Sequence, residues 1–132
     1  MTGEQLQPNE ISGMVVDCAV KIHQVLGPGL LESSYQRILA YELRKEGLEV
    51  ATEIPIPIHW DGHTIDEGYR ADIILNQSVL LELKSVERTL PVHKKQTLTY
   101  LKLAGLPLGL LINFGAPLMK NGIERLVNNL AE

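Results

Sequence analysis

An α/β fold, with a mixed β-sheet flanked by helices, is the architecture this sequence predicts. Three observations carry the prediction. Apolar residues recur at helical spacing through the first third of the chain. The period then shortens to that of strands, in runs separated by tight-turn residues. Last, a helical segment opened by Pro91 lies between two strongly apolar runs, the pattern of a crossover that returns the chain as a parallel strand. At 132 residues the chain supports one domain around one core.

Residues 1–8 read as a flexible lead-in, and residues 9–132 as the domain. Asn9 is placed to cap a helix over about Glu10–Leu26, whose face Ile11, Met14, Val15, Cys18, Ile22, Val25 and Leu26 should be buried. Gly27-Pro28-Gly29 ends it. A second helix is expected from about Leu31 to Lys45, packing through Tyr35, Ile38, Leu39 and Leu43, with Arg44 and Lys45 suiting its C-terminal dipole. Val50–Trp60 carries alternating and β-branched residues, but Pro55 and Pro57 interrupt any hydrogen-bond ladder, so it reads as an edge strand, with or without a bulge. Asp61-Gly62 is a hairpin turn, and a strand starts near His63 and continues or restarts through Tyr69–Leu75. Val79–Val86 is the clearest central strand. The third helix runs from Pro91 to about Ala104, a buried strand covers Leu108–Phe114, and a last helix is expected over about Asn121–Leu130. The predicted order is α-α-β-β-β-α-β-α.

Composition removes several function classes. Hydrophobic residues are 45% and charged residues 21%, which argues against a disordered or fibrous chain. Twelve Lys and Arg face sixteen Asp and Glu, a net charge of −4, which disfavours a basic protein that coats nucleic acid but leaves a nucleic-acid enzyme open. The single Cys18 allows neither an internal disulfide nor a multi-cysteine zinc site, so a reducing, cytoplasmic setting fits best. The polar opening MTGEQLQPNE lacks the features of a signal peptide, and the longest apolar run, Leu106–Phe114, has the length of a strand, so no membrane association is expected. No G-x-G-x-x-G follows a strand, and a nicotinamide or flavin cofactor is not expected.

The strongest chemical signal lies in two neighbouring strands. Tyr69-Arg70-Ala71-Asp72-Ile73-Ile74-Leu75 sets a carboxylate in an apolar strand, and Leu81-Glu82-Leu83-Lys84 follows ten residues on. Glu82 and Lys84 share one face of their strand, and a tight turn between the strands can bring Asp72 beside Glu82. Two adjacent carboxylates repel and are costly to bury. A hard divalent ion, Mg2+ or Mn2+, would remove that repulsion, acidify water and direct it at a phosphodiester. Lys84 would then orient the water or stabilise charge on the phosphate, and the Leu83 backbone carbonyl is a further possible ligand. The competing reading is structural: Lys84 neutralises Glu82 or Asp72 in a salt bridge within the sheet.

Three further groups are candidates, each with a plainer alternative. Gln96 and Tyr100, four apart on one helix, would contact a metal water, a phosphate or a base, or else are a surface amide and a half-buried core residue. His93 looks the same way from one turn earlier. Lys84, Arg88, Lys94, Lys95 and Lys102 oppose only Glu87 across residues 84–102, a local excess that suits a phosphate backbone, with Arg70 adding to it; a solvated helix face explains part of the set. Glu32 and Tyr35 would both look toward the sheet, making Glu32 a third carboxylate, unless it simply caps its helix. His23 would bond a carboxylate or phosphate, or is a satisfied structural histidine.

These residues carry a resemblance. Gly29, Glu32 and Tyr35, set in HQVLGPGLLESSY from His23 to Tyr35, together with GYRAD (Gly68–Asp72), LELKSV (Leu81–Val86), Gln96 with Tyr100, and GLLINFG (Gly109–Gly115), resemble the GxxExxY proteins, a branch of the PD-(D/E)XK nuclease superfamily with a RecB-like nuclease fold. The resemblance covers about Ile11–Leu130. It implies a PD-(D/E)XK nuclease-like core in which Glu32 is the first-helix glutamate, Asp72 the metal-binding aspartate, Glu82 and Lys84 the E-x-K pair, and Gln96 and Tyr100 the following glutamine–tyrosine pair. Ala71 stands where the superfamily usually has proline, and that side chain takes no part in the chemistry. Cleavage to a 5′-phosphate and a 3′-hydroxyl is the implied outcome.

The preferred expectation is therefore a small Mg2+- or Mn2+-dependent nuclease acting on nucleic acid, DNA ahead of RNA, with affinity or positioning drawn from a homodimer, a partner protein or the substrate's own shape, because the chain has little room for a separate specificity domain. Two alternatives stand beside it: a nucleic-acid-binding or repair-associated module that cuts poorly, and an interaction protein in a defence or toxin–antitoxin assembly.

Overall fold

The computed structural model describes residues 5–130. Two helices open the fold, α1 (Pro8–Leu26) and α2 (Glu32–Lys45). Strands β1 (Val50–Pro55), β2 (Ile58–Trp60), β3 (His63–Ile65), β4 (Arg70–Leu75) and β5 (Val79–Lys84) follow. Helix α3 (Pro91–Ala104), strand β6 (Leu108–Asn113), a 3-10 turn (Met119–Asn121) and β7 (Ile123–Val127) complete it. The main sheet has the order β1-β4-β5-β6-β7, and β2 and β3 form a separate hairpin. Among the described residues only β5 and β6 pair in parallel, and α3 is the crossover between them. This is the expected mixed α/β sheet flanked by helices.

The sheet separates two apolar layers. Ile73, Leu75, Leu81, Leu83, Leu110 and Ile112 face α1 and α2, where Ile11, Val15, Ile22, Tyr35, Leu39 and Leu43 meet them. Leu80, Leu126 and Ile74 face α3, against Tyr100 and Leu101. Every residue of β6 is buried, as a parallel central strand requires.

Four details depart from the sequence expectation. The first helix starts two residues earlier, at Pro8, with Gln7 at its cap: the Gln7 amide donates to Glu10 Oε1 at 2.8 Å. Asn9 instead accepts from Arg125 at 2.6 Å. Val25 is 75% exposed and Leu26 is also outside the core, because the helix runs past the sheet; Ala19 and His23 are buried in their place. The proline-containing run divides at Pro57 into β1 and β2, and β1 keeps the same register with β4 on both sides of Glu53. It is the edge strand expected, without a bulge; the local irregularity is Glu53, in the left-handed region at φ 53°.

The largest correction is the last helix. Residues 119–121 form one 3-10 turn and residues 123–127 form β7, antiparallel to β6. Ile123, Leu126 and Leu130 satisfy helical spacing, but a stretch this short satisfies strand alternation as well. Glu124 and Leu126 face α3, whereas Ile123 packs on the α1–α2 side, and Arg125 reaches Asn9 of α1. Without β7 the fully buried β6 would keep an unpaired edge, and the pairing need decides the conformation. Gly122 permits the tight entry: its carbonyl accepts from Asn113 N at 2.7 Å, and a Cβ there would lie 2.5 Å from the Asn113 carbonyl oxygen.

Candidate active site

Asp72 and Glu82 face each other where β4 and β5 part. Regular pairing runs from Leu75 opposite Val79 to Ile73 opposite Leu81. One step further, side chains take over the ladder. Glu82 Oε1 accepts from the Asp72 amide at 3.1 Å, and Asp72 Oδ2 accepts from the Leu83 amide at 2.7 Å. These reciprocal bonds fix both carboxylates against both strands. The second oxygen of each meets no protein donor among the described residues.

The electrostatics are those of two acids held where charge is unwelcome. Glu82 is only 6% exposed. Burial foremost, and then the charge of Asp72, push its carboxyl up to about 8. Burial also raises Asp72, partly offset by its bond from Leu83 N. Lys84 lies at the end of β5, half-buried, and its charge favours ionisation of both acids. It forms no salt bridge with either. The structural ion pair that competed with a functional reading is therefore absent from the described residues.

The GxxExxY segment is tied to this strand end. Tyr35 is fully buried and stacks on Phe114, with ring centroids 4.3 Å apart. Its hydroxyl donates to the Gly27 carbonyl and accepts from the Leu30 amide at 3.1 Å. Ser85 Oγ, directly after Lys84, donates to the Leu30 carbonyl at 2.5 Å. The Gly27–Leu31 loop is thus pinned on one side to the core and on the other to β5. Tyr35 is a positioning residue with no surface to offer a substrate. Glu32, exposed in the first turn of α2, follows that loop, and its charge reaches Asp72. Among the described residues, no group of three or more His, Cys, Asp and Glu side chains is gathered to hold a metal ion.

Helix α3 brings a second set to the same face of the sheet as Glu82. Tyr100 is 7% exposed, and its hydroxyl accepts from Gln96 Nε2 at 3.1 Å. Burial, then the Glu82 charge, then Tyr69 raise its pKa. Gln96 and Lys95 are exposed. The other candidates are engaged elsewhere. His93 Nδ1 accepts from the Leu90 amide at 3.0 Å and caps α3. Lys94 pairs with Glu124 at 3.4 Å. His23 is buried and bonds the Ala116 carbonyl at 2.8 Å, the structural alternative foreseen for it. Arg70 is exposed, bonded to the Tyr69 carbonyl at 3.1 Å and 3.9 Å from Asp66.

Two residues near the site were not among the sequence's candidates, although Tyr69 lies within the GYRAD segment. Glu53 stands opposite Asp72 in the β1–β4 register and raises both Asp72 and Glu82; only the pairing of distant strands reveals it. Tyr69, just before β4, packs its ring on Tyr100 at 5.8 Å and 47°. A cleft of about 370 Å³ lies alongside, lined by Ile54, Ile56, Ile74, Leu103 and Leu106 among others, but it includes neither carboxylate.

A mixed sheet with its acids where two strands diverge, and a crossover helix over them, defines a nuclease-like domain. A family model described as the PD-(D/E)XK nuclease superfamily matches residues 9–126, and the chain belongs to that superfamily, in the branch associated with GxxExxY proteins. No curated protein and no solved structure matches the chain. No helix among the described residues is long and apolar enough to cross a membrane.

Proposed function

We propose that this protein hydrolyses phosphodiester bonds in nucleic acid, with DNA as the first substrate to test, using Mg2+ or Mn2+ held by Asp72 and Glu82. The observation that carries the reading is the carboxylate pair: buried Glu82 and half-buried Asp72, oriented by each other's strands, each with one oxygen unengaged among the described residues. The donor set fits such an ion. Mg2+ is commonly held by one or two carboxylates and keeps several waters, so a gathering of three acidic side chains is not required. The Leu83 carbonyl, next to Glu82, and Glu32 are further candidate oxygens.

A divalent ion at this place supplies acidified water and neutralises charge on the phosphate. The chain's own residues do the rest. The amides of Asp72 and Leu83 hold the two carboxylates still, so that no reorientation is needed as substrate arrives. Lys84, in no salt bridge among the described residues, has its ammonium available to orient the attacking water or to stabilise charge on the phosphate oxygens. Gln96 and Tyr100 line the same side, and exposed Lys95 offers charge to the backbone. A cytoplasmic setting, and a second copy or partner that adds specificity, belong to the same proposal.

The test is cleavage of single-stranded, duplex and branched DNA and of RNA, in lanes with Mg2+, Mn2+ or chelator, with Glu82→Ala in parallel. Products that need the metal and vanish in the variant are the expected result. Folded wild-type protein that leaves every substrate intact with both metals would overturn the reading.

A further inference from the structure

Tyr69 is 39% exposed, yet its backbone is fixed. Gly68, at φ 84°, turns the chain into β4 and bonds Asp66 Oδ1 at 2.9 Å. The Tyr69 carbonyl then accepts from both Ile56 N at 2.9 Å and Arg70 Nη1 at 3.1 Å. The ring rests on Tyr100, which is buried on the Glu82 face of the sheet and held by Gln96. Tyr100 is too covered to stack on a ligand itself. It serves as the backing that sets the Tyr69 ring, three residues ahead of Asp72 in the chain.

We propose that Tyr69 is the stacking surface for an unpaired nucleobase next to the scissile phosphate, so that the preferred substrates are single strands or duplexes with unpaired ends. This rests on the nuclease reading above and adds the substrate class to it. An aromatic ring that is both exposed and immobilised loses little freedom when a base stacks on it. Such stacking accepts any base, because every base has a π face, and each contact typically contributes about 1–3 kcal/mol. A fully paired duplex keeps its bases in its own stack and offers Tyr69 nothing.

The experiment measures kcat and KM on a single strand and on a blunt duplex for wild type, Tyr69→Phe, Tyr69→Leu and Tyr69→Ala, with melting curves to verify folding. Tyr69→Phe should stay within about 2-fold of wild type, because the ring is kept. Tyr69→Ala and Tyr69→Leu should raise KM on the single strand by roughly 5- to 150-fold, the range that 1–3 kcal/mol represents, with kcat and duplex cleavage little changed. An abasic nucleotide at one position beside the cleaved bond should reproduce that loss in wild type and add nothing in Tyr69→Ala. Active protein whose single-strand KM is the same in Tyr69→Ala as in wild type overturns this inference and leaves the nuclease reading standing. Wild type that cleaves nothing removes both.

Discussion

The residues that make up the candidate site are those that break the apolar pattern of their strands. Asp72, Glu82 and Lys84 stand out in sequence because an ionisable group inside a buried strand needs a reason, and the structure gathers them at one strand end. Their reciprocal backbone bonds suggest distinct outcomes on substitution. Asp72→Asn keeps an acceptor for the Leu83 amide, so the fold should persist within about 1 kcal/mol while Mn2+ affinity falls at least 10-fold, as titration calorimetry would measure. Unchanged affinity would remove Asp72 from the site. Lys84→Ala should keep Mn2+ affinity and lose most of kcat, on the order of 100-fold, because its ammonium is committed to no salt bridge among the described residues. Equal turnover in both proteins would end its proposed role. Glu53 was not legible because it is ordinary in its local sequence, and Tyr69, though part of the GYRAD segment, has nothing there that marks it apart from Asp72. One becomes a neighbour of Asp72 through β1–β4 pairing, the other through a ring contact with α3.

At the scale of elements, the site is held by the segments on either side of β5. Asn113, at the end of β6, is buried; its Oδ1 accepts from Val86 N at 3.0 Å and its Nδ2 donates to Val86 O at 2.9 Å. Gly115 lets the two chains approach: a Cβ there would lie 2.2 Å from the Val86 carbonyl oxygen and 2.6 Å from its nitrogen. These are backbone atoms that cannot swing aside, so Gly115→Ala should destabilise by about 2–4 kcal/mol in chemical denaturation; a midpoint equal to wild type would refute this close approach. Tyr35→Phe keeps the stack on Phe114 but removes the bonds to Gly27 and Leu30, at a cost of about 1–3 kcal/mol. The helices, the central strands and the crossover were readable because burial on both faces or on one stripe imposes a period. β7 was not, because five residues carry too few repeats to separate strand from helix, and the unpaired edge of β6 that recruits it exists only after the sheet has formed.

For the whole molecule, the carboxylate pair sets how stability varies with pH. An unfolded Glu82 releases its proton near 4.5, whereas in the fold it keeps the proton up to about 8. Between those values the native state binds one more proton than the unfolded state, so stability falls as pH rises, by up to about 1.4 kcal/mol per pH unit from this group. Its contribution is fully present below the lower value and lost by the upper one. Asp72, also raised, acts in the same direction. Metal-free protein should therefore melt at a lower temperature at pH 8 than at pH 5.5, and Glu82→Gln, neutral throughout, should lose most of that slope and exceed wild type at pH 8. If the pair holds a divalent ion as proposed, the ion would reverse the preference, because it needs both carboxylates ionised and must displace the proton that the fold retains. Mn2+ should then raise the wild-type melting temperature more at pH 8 than at pH 6, where the retained proton competes. It should have little effect on Glu82→Gln at either pH. The difference between wild type and variant isolates Glu82 from every other titrating group, so equal slopes in the two proteins would show that Glu82 is not held protonated by its burial.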